Sequence, residues 1–338
     1  MERRIMSLGR SSMVISLPKN WMQLNELKKG DVVSLAIQRD RSLAVHPGNE
    51  KKLIPKEITL RVGQDEEEIL ITQRILGSFL NGYSGITLIS EKIFSVPQRK
   101  AIRKIAGMLY MRVMESDSKG MYIQTLQDES QASLEQAIHR MHLISHSMCE
   151  DTLQALKNRD IALAKSVFSL DDDVDHFFFF ILRILRTAAQ EPTLANELRI
   201  DPVDCLDQYT LVRLMEHAAD YSADIASHII MLDGTQQKIP DDILDLMFIA
   251  GTESVDMYVK SVNAFFSKDV PFSIEIMKRK QAIEQLDREI ASRSFTGKQK
   301  NSELVCAICS IRDDIKRIAS GAVSIAEITV NRAFKITA

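Results

Sequence analysis

Apolar residues recur along this chain at two spacings, and the change from one to the other near residue 130 divides it. Beyond 130 they return every three or four positions, which predicts long helices over 131–157, 160–190, 205–232, 240–266, 271–294 and 301–332. Pro192, Pro202, Pro240, Pro271 and Gly297 punctuate them. The helical part also repeats itself. ALKNRDI, from Ala155, returns as AFFSKDV, from Ala264, and ADYSADIA, from Ala219, returns as ASGAVSIA, from Ala319. Two three-helix repeats of roughly 110 residues each account for this.

Before residue 130 the periods are shorter. EITLRV, GITLIS and MYIQTL read as strands, while EEEILITQRILGSFL and VPQRKAIRKIAGML read as amphipathic helices, so residues 50–128 form a small α+β connector. In residues 1–48, RRIMSLG and SMVISLP read as strands around GRSS, PKNWMQLN as a short helix opened by proline, and KKGD as a turn into VVSLAIQ, with LAVHP closing. So few residues cannot bury a core of their own, and the head is expected to be an intertwined homodimer.

Composition narrows the class. With 45% hydrophobic side chains in 338 residues the chain should fold, and its longest purely apolar run, FFFFIL, is far shorter than a membrane span needs. No membrane insertion is expected. Four scattered cysteines and a charged N-terminus suggest a reducing, cytoplasmic setting. The net charge of −3 conceals a gradient: residues 1–48 carry eight Lys/Arg against four acids, +4, which leaves −7 for the rest. A basic head on an acidic body suggests a polyanion surface.

The head resembles the AbrB/SpoVT swapped-hairpin DNA-binding domain, most specifically in SLPKNW and KKGDVV. That resemblance implies duplex DNA as partner and Arg3, Arg4, Arg10 and Lys19 as its contacts, with Ser11, Ser12 and Asn20 either adding hydrogen bonds to phosphate or only capping the turn and helix.

Acidic chemistry concentrates in the first repeat. The stretch SLDDDVDHFFFF places four aspartates within five positions just before four phenylalanines. Val167, Asp171, Val174, Phe178, Ile181 and Leu185 follow the spacing of an inward seam, so Asp171 should point at the core with Asp175 one turn on. Tyr209, Val212, Glu216, Ala219, Ala223, Ala226 and Ile230 form a second seam, with Glu216 inside and Asp220 one turn later. Carboxylates so placed are costly to desolvate without a cation, and oxygen ligation of a metal is the natural remedy. Asp172 and Asp173 read as a solvated face. His139, His142 and His146 share a helix face and are read as polar residues on its outer side; Cys306 and Cys309, lacking a second pair, are read as packing. No GxGxxG, GxxxxGK[ST] or GxSxG is present, so no nucleotide loop or hydrolase elbow is expected, and the chain does not read as an enzyme.

With DDDVD before an apolar helix and RLMEHAADYSADIA on the third, residues 130–332 resemble the PhoU family of phosphate-signalling proteins, and the connector resembles that of archaeal proteins joining an AbrB-like head to a PhoU-like body. The resemblance implies iron or zinc clusters held by Glu/Asp-x-x-x-Asp pairs, here Asp171, Asp175, Glu216 and Asp220, and a phosphate transporter or signalling protein as partner. The expected fold is multidomain: an all-β swapped-hairpin head (1–48), an α+β connector (50–128) and an all-α body of two PhoU-like repeats (130–235 and 236–335). The expected function is DNA-binding regulation of phosphate uptake. A metal-dependent hydrolase of a phosphorylated substrate, or a transporter adaptor that does not bind DNA, are the alternatives. Aligning the repeats places Lys280, Glu284, Lys316 and Ser320 where the first repeat has its four acids, so metal is expected in the first repeat only.

Overall fold

The computed structural model describes residues 2–9, 12–37, 42–48, 56–125, 133–296 and 302–335. The chain divides into two compact units, residues 1–54 and 55–337.

In the first unit, β1 (Met6–Leu8) pairs antiparallel with β2 (Ser12–Val14), and β3 (Val33–Ile37) with β4 (Leu43–Pro47); α1 (Lys19–Leu24) lies between the hairpins in sequence. The elements follow the expected order, as two separate two-stranded sheets. The KKGD turn closes by the Asp31 N–H donating to the Lys28 carbonyl at 3.1 Å and the Lys28 N–H donating to Asp31 Oδ2 at 2.6 Å. Gly30 sits there at φ 102°, a region that side chains with a Cβ rarely enter. None of the described residues of this unit is buried within the chain.

The second unit begins with a mixed sheet of order β5-β6-β8-β7, in which β5 (Lys56–Arg61) and β6 (Tyr83–Ile89) run parallel while β7 (Met111–Ser116) and β8 (Gly120–Thr125) are antiparallel. α2 (Glu68–Leu80) and α3 (Val96–Met108) join the strands, and Ile71, Ile75, Phe79, Ile102 and Ile105 pack with Ile86, Leu88, Met121 and Ile123 in one core. Strand β7 was not legible in the pattern. It is an edge strand, mostly exposed, whose alternation of apolar with polar residues lasts only through Met111–Val113 before the register shifts at a bulge between Val113 and Glu115.

The body follows as α4 (Leu134–Asn158), α5 (Ile161–Gln190), a short α6 (Pro192–Glu197), α7 (Pro202–Gly234), α8 (Asp241–Ser267), α9 (Val270–Thr296) and α10 (Ser302–Ala333). The expected six long helices are present; α6 is additional, and Pro192, Pro202 and Pro271 open helices because a first turn has no use for the missing N–H. Repetition is visible in the backbone. α4 ends at Arg159 with φ 54°, α8 ends at Lys268 with φ 55°, and Asp160 and Asp269 then cap the next helix by accepting from the N–H groups of Leu163 and Phe272. Helices α4, α5 and α7 pack together, as do α8, α9 and α10; α7 against α10 and α4 against α8 merge the two repeats into one core. Small residues permit the close approach: Ala219, Ala226, Ala319 and Ala326 are buried, and at Gly251 a Cβ would stand 2.3 Å from Leu153 Cδ2.

The phenylalanine run of α5 serves two cores at once. Phe178 is buried in the helical core, while Phe179 packs against both that core and the connector's. One turn on, Arg183 is only 3% exposed, donates to the carbonyls of Phe79 and Tyr83 at 2.5 and 2.7 Å, and lies 4.5 Å from the Phe79 ring centre. Arg186 donates to the Leu80 carbonyl at 3.1 Å, and Lys56 pairs with Glu191 at 2.7 Å. The connector is thereby fixed to α5.

Candidate functional site

Helices α5 and α7 pack side by side and bring the four expected acids into one electrostatic group. Asp171 and Asp175, one turn apart on α5, are half-buried and held up to about 6, chiefly by burial, then for Asp171 by Asp220 and for Asp175 by Asp171. Glu216 is pushed to about 7 by burial and by Asp220, and Asp220 is raised by burial and by Asp224. Arg213 opposes the shifts of Asp175, Glu216 and Asp220: its Nη1 stands 3.6 Å from Glu216 Oε1, and its guanidinium lies 5.3 Å from the Phe178 ring centre. One cation at that distance, half-exposed, does not offset burial plus several like charges. Glu216 Oε2 is buried without a hydrogen-bond partner, although His217 Nε2 lies 3.7 Å away.

The chemistry of this set fits a hard cation: several carboxylate oxygens and an orphaned Glu216 Oε2 that no protein group satisfies. As the side chains stand, no three His, Cys, Asp or Glu residues among those described converge on one metal position. Asp172 and Asp173 are exposed, as their solvated reading required.

Two acids belong to this group that the pattern did not reveal. Asp224 extends the i, i+4 ladder of Glu216 and Asp220 by another turn, a spacing legible in SADIA. The second is Asp314 of α10, in the repeat where no acids were expected to gather: it is 7% exposed and raised to about 7 by burial, then by Asp224. It lies off the seam formed by Ile311, Ile315 and Ile318, and the packing of α10 on its neighbours, with Asp224 of α7 close enough to raise it, buries it. Elsewhere in the second repeat an ion-pair network stands in place of acids, with Arg312 Nε 3.0 Å and Lys316 Nζ 3.6 Å from Asp287.

Other sequence candidates separate. His139 is exposed, but His142 is buried against Tyr258 rather than on an outer face, with ring centres 5.6 Å apart. Burial, then His146 and His139, lower it to about 4, so it is a neutral core histidine. Cys306 is exposed and Cys309 half-buried, so the pair is not core packing. In the head, Arg3, Arg4 and Lys19 are exposed, whereas Arg10 and Ser11 lie outside the described residues. Asn20 accepts from the adjacent Trp21 N–H at 3.0 Å, but no side chain caps α1, and Ser12 opens β2. The same unit also carries large exposed apolar side chains, among them Ile5, Leu8, Met13, Leu24, Leu35 and Ile37.

Comparison with known proteins places the body. The model of the PhoU domain matches residues 138–229 and 249–329, one span per repeat. The phosphate-specific transport system accessory protein PhoU homolog of Clostridium acetobutylicum is 25% identical over 153 residues, 45% of this chain and 67% of the relative. The crystal structure of PhoU from Pseudomonas aeruginosa superposes with TM-score 0.52 at 17% identity, over 58% of this chain and 93% of that one. The phosphate transport system regulatory protein PhoU from Streptococcus pneumoniae gives TM-score 0.51 at 17% identity, covering 61% and 95%. Among the described residues no helix is long and apolar enough to cross a membrane.

Proposed function

The chain belongs to the PhoU family, and on that footing we propose that it is a regulator of phosphate transport whose basic head binds duplex DNA as a homodimer. The matched span supports the phosphate-transport half of this reading, and the relative's name as a transport accessory protein supports the phosphate transporter, or a signalling protein, as the partner of the helical body. The observation that carries the other half is the head itself: no described residue in it is buried, ten of its large apolar side chains stand exposed, and Arg3, Arg4 and Lys19 are exposed as well. Such a unit gains a core by pairing with a second copy in the manner of the AbrB/SpoVT hairpins it resembles. Pairing would double its cations for a two-fold DNA site.

The carboxylates of the first repeat complete the proposal. Asp171, Asp175, Glu216 and Asp220 would hold an iron or zinc cluster, and an all-oxygen donor set suits iron better than zinc. Bound there, the cation would neutralise charge that burial makes costly and would lock α5 to α7. A regulator is favoured over a hydrolase because the nearby arginines are already engaged, Arg213 with Glu216 and Arg317 with Asp313 at 2.8 Å.

Two measurements test the head. Full-length protein is expected to bind promoter DNA of phosphate-transport genes with a steep salt dependence, and Arg4→Ala and Lys19→Ala to flatten the log-log slope by about one unit each. Absence of any mobility shift at low salt would count against it. Removing residues 1–48 is expected to turn a dimer into a monomer by sedimentation velocity; an equally tight dimer after truncation would place the interface in the body.

A further inference from the structure

Residues 92–114 carry six Lys/Arg (Lys92, Arg99, Lys100, Arg103, Lys104 and Arg112) and no Asp or Glu, in a chain whose net charge is −3. Four of the six stand on α3. Its buried residues are Gln98, Ile102, Ile105 and Ala106, so Val96, Lys100, Arg103 and Gly107, spaced i, i+4, i+7 and i+11, run along the opposite face with Lys104 at their side. Lys100, Arg103 and Lys104 are exposed, and none of them forms an ion pair among the described residues; Arg99 donates to the Asp117 carbonyl at 2.7 Å. The helix does not need these cations for its own stability. No basic residue lies in its last turn, where the dipole would favour one, and its start is fixed by the reciprocal Ser95–Gln98 cap. Like charges three and four residues apart repel one another along the stripe. Nothing occupies the space beside Gly107, so a partner can approach the backbone closely.

We propose that this face of α3 is a second polyanion contact, which takes the phosphate backbone of duplex DNA. The proposal rests on the DNA reading of the head for the identity of its ligand and on α3 alone for its site. A phosphodiester chain offers regularly spaced anions without apolar surface, matching a stripe of lysine and arginine; lysine is depleted from protein–protein interfaces. An anionic bilayer fits less well. A helix that lies in a bilayer surface buries a broad apolar face, whereas the exposed stripe of α3 (Val96, Lys100, Arg103, Lys104 and Gly107) carries Val96 as its one large apolar side chain.

The test uses the full-length chain and a random-sequence DNA duplex titrated over a series of salt concentrations. Lys100→Ala with Arg103→Ala and Lys104→Ala is expected to flatten the log-log salt slope by about 2–3 units and to weaken low-salt binding at least about tenfold. The charge-retaining variant Lys100→Arg, Arg103→Lys, Lys104→Arg should keep the parent slope, which separates charge from folding. An unchanged slope in the alanine variant, with a reduced one in Arg4→Ala, Lys19→Ala, overturns the α3 contact and leaves the head reading intact. The reverse result sustains α3 and removes the head. Loss of co-sedimentation with phosphatidylglycerol vesicles, at unchanged DNA affinity, would overturn the proposal in favour of a membrane surface.

Discussion

Protein carrying Asp171→Asn and Glu216→Gln, stripped of metal at pH 8, is expected to melt about 5 °C above the equally stripped parent, taking one to two kcal/mol at roughly 2–4 °C each. Its parent should gain stability from added iron, and the variant should not. The expectation follows from linkage. In the unfolded chain both carboxyls titrate near 4. In the fold Asp171 is held at about 6 and Glu216 at about 7, because burial and neighbouring carboxylates oppose ionisation. Below about pH 4 both groups are protonated in either state and the fold is favoured in full; as pH rises to about 7 the folded protein must ionise them at a cost the unfolded chain does not bear. Metal-free parent should therefore be more stable at pH 5 than at pH 8, and the double variant should show a shallower fall. The groups are only half-buried, so solvent screening reduces the effect to the order of 1–2 kcal/mol. A bound cation reverses the sign, since it needs the carboxylates deprotonated. Elemental analysis supplies the second readout: essentially no metal in the double variant and an unchanged content in Glu284→Gln. Equal metal in parent and double variant, or identical pH profiles, would reject this site.

Arg183→Ala is expected to cost about 3 kcal/mol, the largest stability loss among these substitutions, and to separate the unfolding of the connector from that of the helical body. A buried guanidinium donating to two carbonyls makes hydrogen bonds worth about 1.5–3 kcal/mol each, and its removal leaves the carbonyls of Phe79 and Tyr83 without that donor. The contact with the Phe79 ring disappears as well. Arg183→Lys should recover little, because an ammonium lacks the planar fork that reaches both acceptors. Urea denaturation followed by circular dichroism should show one transition in the parent and two in the alanine variant, with connector fragments released first on limited proteolysis. A single transition at the parent midpoint would show that Phe179 and the Lys56–Glu191 pair suffice to hold the connector.

Helix periods, proline punctuation and the recurrence of Asp160 at Asp269 were legible in the chain because each reflects local chemistry: side-chain spacing, a missing N–H, a cap. The pairing of Asp171 with Asp175 and of Glu216 with Asp220 was legible for the same reason, since i, i+4 geometry belongs to a single helix. Tertiary structure decided what single-helix geometry cannot reach. Strand β7 exists because β8 pairs with it, although its own alternation lasts only three residues, Met111–Val113. His142 belongs to the core because Tyr258 on α8 closes over it. Asp314 became a buried acid because α10 of one repeat packs on α7 of the other, and the four phenylalanines divide their work because α5 faces two cores. Periodicity states which side of a helix is apolar. Which neighbour meets that side, and which polar group is trapped with it, depends on contacts between residues a hundred positions apart, whose energies appear only when the helices pack.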